Sequence, residues 1–387
     1  MRRAVVGRPD RDVQDVDGLR DGGVTAIGAS SEDAARAEAA GRLREQAFGC
    51  AQGGSPLYGS LLERAALDVV AGGPAWEVLE PFAAEPRGTA LALRFMAAVH
   101  REVLTGQGGD LARRYPSVGG AAGPEDEAWG AFADVLTRRC DTLRHTVASP
   151  CQTNEVSRSA ALLGGFLLVA ARTALPMRLL EVGASAGLNL RWDRYRYETD
   201  AEGWGDPASP VRIRDAFDPP PPFVPEAVEI VERRGCDPYP IDPATEEGRL
   251  ALMSSVWADQ IERFERLRGA LAVAKDVPVR MDAAGAAAWL GARLSEPSAG
   301  AATVVFHSVV FQYLGDDEQV TMERTLRSAG DRADVLAPLA WLRMEPPDWR
   351  RHEPHQVRLT MWPGGRDELL ATTGPHGRPV KWLAPPG

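Results

Sequence analysis

The chain has little cysteine. Its four cysteines in 387 residues, Cys50, Cys140, Cys151 and Cys236, are far apart and form no CxxC pair. That argues against a disulfide scaffold and reads as reduced thiols in a cytoplasmic protein. Positive charge is also short. Lys and Arg total 44 against 54 Asp and Glu, and the net charge of −10 speaks against non-specific binding to nucleic acid or an acidic membrane. No apolar run is long enough to span a bilayer, because the longest, Ala160–Pro176, is interrupted by Arg172. The N-terminus is basic but lacks an apolar core, so no signal peptide is expected. The three-glycine G-x-G-x-x-G pattern of dinucleotide oxidoreductases is absent as well.

What is present is a change of period near residue 176. Residues 1–30 are charged, glycine-rich and aperiodic, which predicts a flexible tail. Helical spacing then recurs from Ser31, over Pro56–Val70, Leu91–Leu104 and Trp129–Val147, with no alternating segment. An all-helical N-terminal domain over 31–175 follows. Beyond it, short apolar strands are expected at Leu179–Val182, Ala227–Val231, Pro278–Arg280, Ala302–Phe306, Val335–Trp341, Gln356–Met361 and Val380–Leu383. Helices are expected at Glu246–Val273, Ala284–Leu294, Asp316–Ala329 and near Gly365–Ala371, with Trp192–Pro225 irregular and proline-rich. Strands alternating with helices predict an α/β domain over 176–387, a mostly parallel sheet with helices on both faces.

The chain is organised around RLLEVGASAGLNLRW at 178–192, which reads as a strand, a small-residue loop and the start of a helix. Glycines admit a ligand close to the backbone, and a helix N-terminus offers free N–H groups. Glu181, Gly183, Ser185 and Gly187 are therefore candidate cofactor contacts. The stretch before it, CQTNEVSRSAALL, has a polar front of Gln152, Thr153, Asn154, Glu155 and Arg158 that could face the loop. Strand ends in such a sheet carry the ligand site, and here they bear Glu181, Asp237, Asp282, His307 and Glu345. His307 follows a wholly apolar strand and is the candidate general base, with Glu345 and Tyr313 as alternatives. The HEPH tetrad at 352–355 is read as a surface loop and no metal site is expected.

The run Glu181-Val-Gly-Ala-Ser-Ala-Gly187 resembles the first motif of class I S-adenosylmethionine-dependent methyltransferases, with Ser185 where glycine is usual. That resemblance implies a Rossmann-like fold with S-adenosyl-L-methionine as cofactor. Asp237 would then lie on the ribose hydroxyls, Asp282 near the adenine, and His307-Ser308 would face a small-molecule acceptor methylated on O or N. Asp237 stands much further beyond Glu181 than the roughly 20 residues of a compact βαβ unit. More narrowly, QTNEVSRSAALL, LLEVGASAGLNLRWDRYRY, VWADQIERFERLR and VVFHSVVFQYL resemble recurring segments of an uncharacterised bacterial family with a domain of unknown function.

Two other readings stand beside this one. Gly183-Ala-Ser185-Ala-Gly187 is also a G-x-S-x-G match, which would make Ser185 the nucleophile of a serine hydrolase, with Asp316 or Asp334 and His352, His355 or His376 completing a triad. A non-catalytic or non-methylating protein on the same fold is the second.

Overall fold

The computed structural model describes residues 31–121, 123, 125–150, 152–223, 228–348 and 353–383. The expected tail, Cys151, the start of the strand expected at Ala227, and His352 lie outside them. The described part opens with helices α1 (Ser31–Gln52), α2 (Pro56–Ala71), α3 (Pro74–Leu79), α4 (Leu91–Leu104) and α5 (Glu125–Val147). No strand precedes Met177 among the described residues. Local chemistry sets α2's ends. The Ser55 hydroxyl accepts from Tyr58 N–H, Pro56 opens the first turn, and Gly72 closes the helix in the left-handed region at φ 72°. Leu61, Leu62, Phe95, Met96, Phe132 and Leu136 are the centre of a core that these helices share.

Helix α6 (Arg158–Thr173) leads into an eight-stranded sheet. In chain order its strands are β1 (Met177–Val182), β5 (Ile230–Asp237), β6 (Arg280–Ala283), β7 (Ala302–Ser308), β8 (Leu339–Glu345), β9 (His355–Trp362), β10 (Arg366–Thr373) and β11 (Val380–Trp382). Across the sheet the order is β11-β10-β9-β8-β7-β1-β5-β6. The five strands from β6 to β8 are parallel, and β8 to β11 form an antiparallel meander. Side chains alternate between faces, as a strand requires. Leu180, Val182, Val305 and Trp341 pack with Trp289 and Leu290 of α9 (Ala286–Arg293) and with Met322 and Leu326 of α10 (Asp316–Gly330). Leu179, Val304, Phe306 and Leu342 face Leu162 and Phe166 of α6. The sheet is therefore covered on both sides.

Several expectations are corrected. The segment at 365–371 is strand β10, not a helix. Gly364 and Gly365 turn the chain at φ 110° and 64°, and the residues after them pair antiparallel with β9. The helix expected over 246–273 is two, α7 (Glu246–Ser254) and α8 (Ile261–Asp276). Between them Trp257 and Ala258 leave the α/β part and join the helical core, while Asp259 accepts from Ser55 Oγ and Leu57 N–H at the start of α2. The stretch after Trp192 contains a small sheet of β2 (Arg196–Glu198), β3 (Gly203–Trp204) and β4 (Arg212–Arg214). The strand expected over Val335–Trp341 is β8, which starts at Leu339, and Val335 and Leu336 are exposed.

Candidate functional site

Strand β1 is buried along nearly its whole length and ends in a turn built from left-handed residues: Gly183 at φ 66°, Ser185 at 53° and Gly187 at 66°. Glycine is required at 183. A Cβ there would lie 2.6 Å from Val310 Cγ2 as well as in an unfavourable backbone region. Gly183 is solvent-exposed and sits between β1 and β7, where the strand order reverses direction. Open α/β sheets bind ligands outside such a switch point.

The segment after the turn is not the expected α-helix. It is a 3₁₀ helix, Asn189–Arg194, broken at Arg191 (φ −107°, ψ 16°). Packing decides this: Leu190, Trp192 and Tyr195 are all buried, and Trp192 stacks on Phe166 with ring centres 4.3 Å apart. No helix dipole therefore points at the turn. Its N–H groups are met from within the chain instead. Ala184 donates to Cys236 O (3.0 Å), Gly187 to Ala184 O (2.7 Å), and Ser185 to Asp237 Oδ2 (3.0 Å). Ala186 and Leu188 both donate to Asn154 Oδ1, at 3.3 and 2.9 Å. Asn154 thus faces the loop, as its place in the polar front predicts.

Asp237, the last residue of β5, ties this arrangement together. Its Oδ1 accepts from Tyr239 N–H (2.9 Å) and Gln152 Nε2 (3.1 Å). Gln152 also accepts from Ser185 Oγ at 3.0 Å and donates to Tyr239 O at 2.6 Å. The long interval between Glu181 and Asp237 therefore does not separate them, because the small sheet absorbs it. Asp282, one strand further out, is committed elsewhere. Arg234 binds both its oxygens (2.6 and 2.9 Å) and Trp289 Nε1 donates to Oδ2 (2.6 Å). The Arg234 and Trp289 hydrogen bonds hold its carboxyl down at about 2, against burial.

At the foot of the turn Glu181 is buried, and its Oε2 has no hydrogen-bond partner among the described residues. Burial drives its carboxyl well above the ordinary value, helped by the charge of Asp237 and opposed by Arg191 and Arg158. Arg158, the first residue of α6, donates to Pro375 O (3.1 Å) and Ser308 O (3.3 Å) and interacts electrostatically with Glu155, Tyr313 and Glu345. Beneath it, Glu155 is bonded to Arg263 (Nε, 2.7 Å). Burial raises this carboxyl, but Arg263 and His376 bring it to about 2.

His307 is completely buried on the other face of the sheet. Its Nδ1 lies 2.7 Å from Glu345 Oε1, its Nε2 lies 3.0 Å from Trp341 Nε1–H, and its ring stacks on Phe311. Since Trp341 can only donate, Nε2 accepts and Nδ1–H donates to Glu345. Neither nitrogen is free to take a substrate proton, so the general-base role expected of His307 has no open lone pair. Glu345 Oε1 also accepts from Val310 N–H (2.9 Å), while its Oε2 is buried and unpartnered among the described residues. Tyr313 is 67% exposed. Val309, next to these groups, is a β-branched residue at φ 58°, the kind of strain that gathers at functional sites.

The structure thus joins Asn154, Ser185, Gly187 and Asp237 around one turn, sets Glu181 and Arg158 beside it, and pairs His307 with Glu345. Asp282 stands apart in its own ion pair. Ser185 Oγ has Gln152, not a histidine, as partner; Asp316 opens α10 and Asp334 caps the turn at Leu336 and Ala337. Gln152 and Glu155 belong to the polar front that the sequence sets before the turn, whereas Arg263 of α8 carries no such signal and only proximity in the fold reveals it. No cluster of three or more His, Cys, Asp or Glu suited to a metal ion occurs among the described residues. No described helix is long and apolar enough to cross a membrane.

The family model described as "Uncharacterized protein conserved in bacteria (DUF2332)" matches residues 40–382, and the chain belongs to that family. No curated protein and no solved structure matches the chain.

Proposed function

We propose that the protein binds S-adenosylmethionine outside the carboxyl ends of β1, β5 and β7 and methylates an O or N atom of a small molecule. The observation that carries this reading is the 3.0 Å bond from Ser185 N–H to Asp237 Oδ2. It sets the acid that ends the neighbouring strand directly against the glycine turn, the pairing a nucleoside needs. The strand order around the switch point and the exposure of Gly183 support it further.

The residues fit such a ligand at two atoms. Asp237 Oδ2 accepts one N–H and keeps a lone pair for a ribose hydroxyl, whereas Oδ1 already accepts two donors. Glu181 Oε2 is a buried polar atom with no partner among the described residues. The sulfonium cofactor supplies an already activated methyl group, so the chain's work is alignment and removal of one proton. Arg158 supplies the positive charge beside the turn. Glu345 takes the base role in place of His307, because His307 and Val310 fix its Oε1 while its buried Oε2 has no partner among the described residues.

Titration calorimetry with S-adenosylmethionine and S-adenosylhomocysteine tests the reading. Saturable binding is expected for both, weakened about tenfold to a hundredfold by Asp237→Ala. A folded protein that gives no heat with either ligand refutes it. Binding without methyl transfer to any acceptor would leave a cofactor-binding protein that is not an enzyme. Ser185→Ala is expected to keep ligand binding; loss of an esterase activity with it would support the hydrolase instead.

A further inference from the structure

Arg158 opens α6, His355 opens β9, and His376 lies in the turn 374–377 that joins β10 to β11. We propose that these three side chains form a binding site for the anionic group, carboxylate or phosphate, of a small molecule, and that on the methyl-transfer reading above, on which this last step rests, that molecule is the acceptor.

The fold brings the three together. Side chains alternate along β9, so His355 shares the face of Val357 and Leu359, which pack in the same core as Leu162 and Phe166 of α6. The turn 374–377 rests on the start of that helix. Arg158 Nε donates to Pro375 O at 3.1 Å, and a Cβ on Gly377 would lie 2.5 Å from Arg158 Cα. His376 meets Trp257 of the helical core edge-on, with ring centres 5.8 Å apart. The group therefore lies where the helical part reaches the sheet, a placement that ligand sites favour. Both imidazoles interact electrostatically with Arg158 and with each other.

Their polar atoms are not used up. Arg158 Nη1 donates to Ser308 O at 3.3 Å, but Nη2 has no hydrogen bond, and Arg158 forms no ion pair, among the described residues. Neither imidazole has a hydrogen-bond partner among the described residues, and both rings are half-buried rather than sealed. Thr373, directly opposite His355 in the β9–β10 ladder, adds a buried hydroxyl with no partner among the described residues. The nearby carboxylates are held elsewhere, Glu155 by Arg263 and Glu345 through one oxygen by His307 and Val310. Tyr313 brings a phenol within electrostatic reach of Arg158. An arginine with an open edge and two imidazoles suits a carboxylate or phosphate, and Arg158 and Arg263 repel a cation from the same place. Burial and then Arg158 lower His355, against Glu345; burial, Arg263 and Arg158 bring His376 to about 4, against Glu155. A bound anion offsets those positive charges, so the imidazoles take up protons as it binds and affinity rises as pH falls. The chain's net charge of −10 offers anions no general attraction, so such binding is local.

Histidine-proton NMR titrations of the full-length protein with acetate, inorganic phosphate and neutral acetamide test the site. At least one of the two anions is expected to shift the ring signals of His355 and His376, assigned by their loss in His355→Gln and His376→Gln, and acetamide is not. The tighter of the two anions tells carboxylate from phosphate. Each histidine variant is expected to weaken the anion about threefold to tenfold, and Arg158→Gln about tenfold or more. Acetate is expected to bind about threefold to tenfold more tightly at pH 6 than at pH 8. No shift with either anion, equal shifts with acetamide, affinity that does not rise towards pH 6, or unchanged affinity in both histidine variants overturns the proposal. The histidine variants decide the matter where Arg158→Gln does not fold. The two readings separate cleanly. Histidine-dependent anion binding without affinity for S-adenosylmethionine leaves the site and removes the acceptor role; affinity for S-adenosylmethionine with anion binding unchanged in both histidine variants removes the site alone.

Discussion

Glu181→Gln is the perturbation that most directly reads the electrostatics of the turn. The wild-type carboxyl is 3% exposed, and burial lifts it well above its usual 4.5. Such a group is protonated in the folded protein and ionised in the unfolded chain over the interval above 4.5. The native state then holds the extra proton, so stability falls as pH rises, by about 1.4 kcal/mol per pH unit until the folded carboxyl itself titrates. Glutamine keeps the shape and cannot ionise, which removes that slope. Its amide brings a second donor into a buried site, at a cost of about 1–2 kcal/mol that does not vary with pH. Urea unfolding of both proteins at pH 5, 6 and 7 separates the two effects. At pH 5 the variant is expected to be no more stable than the wild type. By pH 7 the difference is expected to have moved in the variant's favour by up to about 2.7 kcal/mol. Other titrating groups are common to both proteins and cancel. A difference constant across the three pH values would mean that Glu181 is ionised when folded, and the account of the turn would fail.

Gly183→Ala places a methyl group 2.6 Å from Val310 Cγ2 at φ 66°; a loss of about 1–3 kcal/mol in urea unfolding is expected, and a negligible shift would contradict the strain argument. Arg263→Leu removes the ion-pair partner of the buried Glu155 carboxylate, which should cost about 3–5 kcal/mol. The double variant Glu155→Leu/Arg263→Leu should recover much of that loss, and equal losses in single and double variants would count against the pairing. Burial holds His100 down at about 4, with Nε2 bonded to Ser117 Oγ at 2.8 Å and Nδ1 to Ser254 O at 3.2 Å. A depressed imidazole favours the unfolded state once that state protonates, so its contribution is whole above pH 6.5 and is lost as pH falls towards 4. His100→Gln should flatten that part of the stability profile, and an unchanged acid slope would refute it.

Helices whose limits are set by local chemistry were legible as sequence. Ser55 and Pro56 start α2, Gly72 ends it, and the spacing from Leu91 to Leu104 matches α4 to the residue. The misreadings arise where distant contacts overrule a local pattern. RDELLATT contains good helix formers, yet the two glycines before it aim it back along β9, and sheet pairing outweighs its propensity. Met253, Val256 and Ile261 preserve an apolar period across 246–273, so the pattern reads as one helix. The chain breaks there because Trp257 belongs to another core, a fact that the spacing alone does not carry.

The same distinction governs the candidate site. A glycine turn after a buried strand is visible in sequence because its cause is local: only glycine fits beside Val310 at that backbone angle. What satisfies the turn is not local. Two of its N–H groups are met by Asn154 and another by Asp237, residues from opposite sides of the turn in the chain. An expected helix N-terminus is replaced by side-chain acceptors, since burying Trp192 against Phe166 favours a short 3₁₀ segment over a helix. His307 illustrates the converse. A histidine after an apolar strand reads as a poised base, but the tryptophan on the adjacent strand fills its lone pair. The carboxylate it orients, Glu345, then keeps one buried oxygen with no partner among the described residues. Polar residues at strand ends therefore mark where chemistry gathers, and the hydrogen-bond count of each atom decides which of them remain available for it.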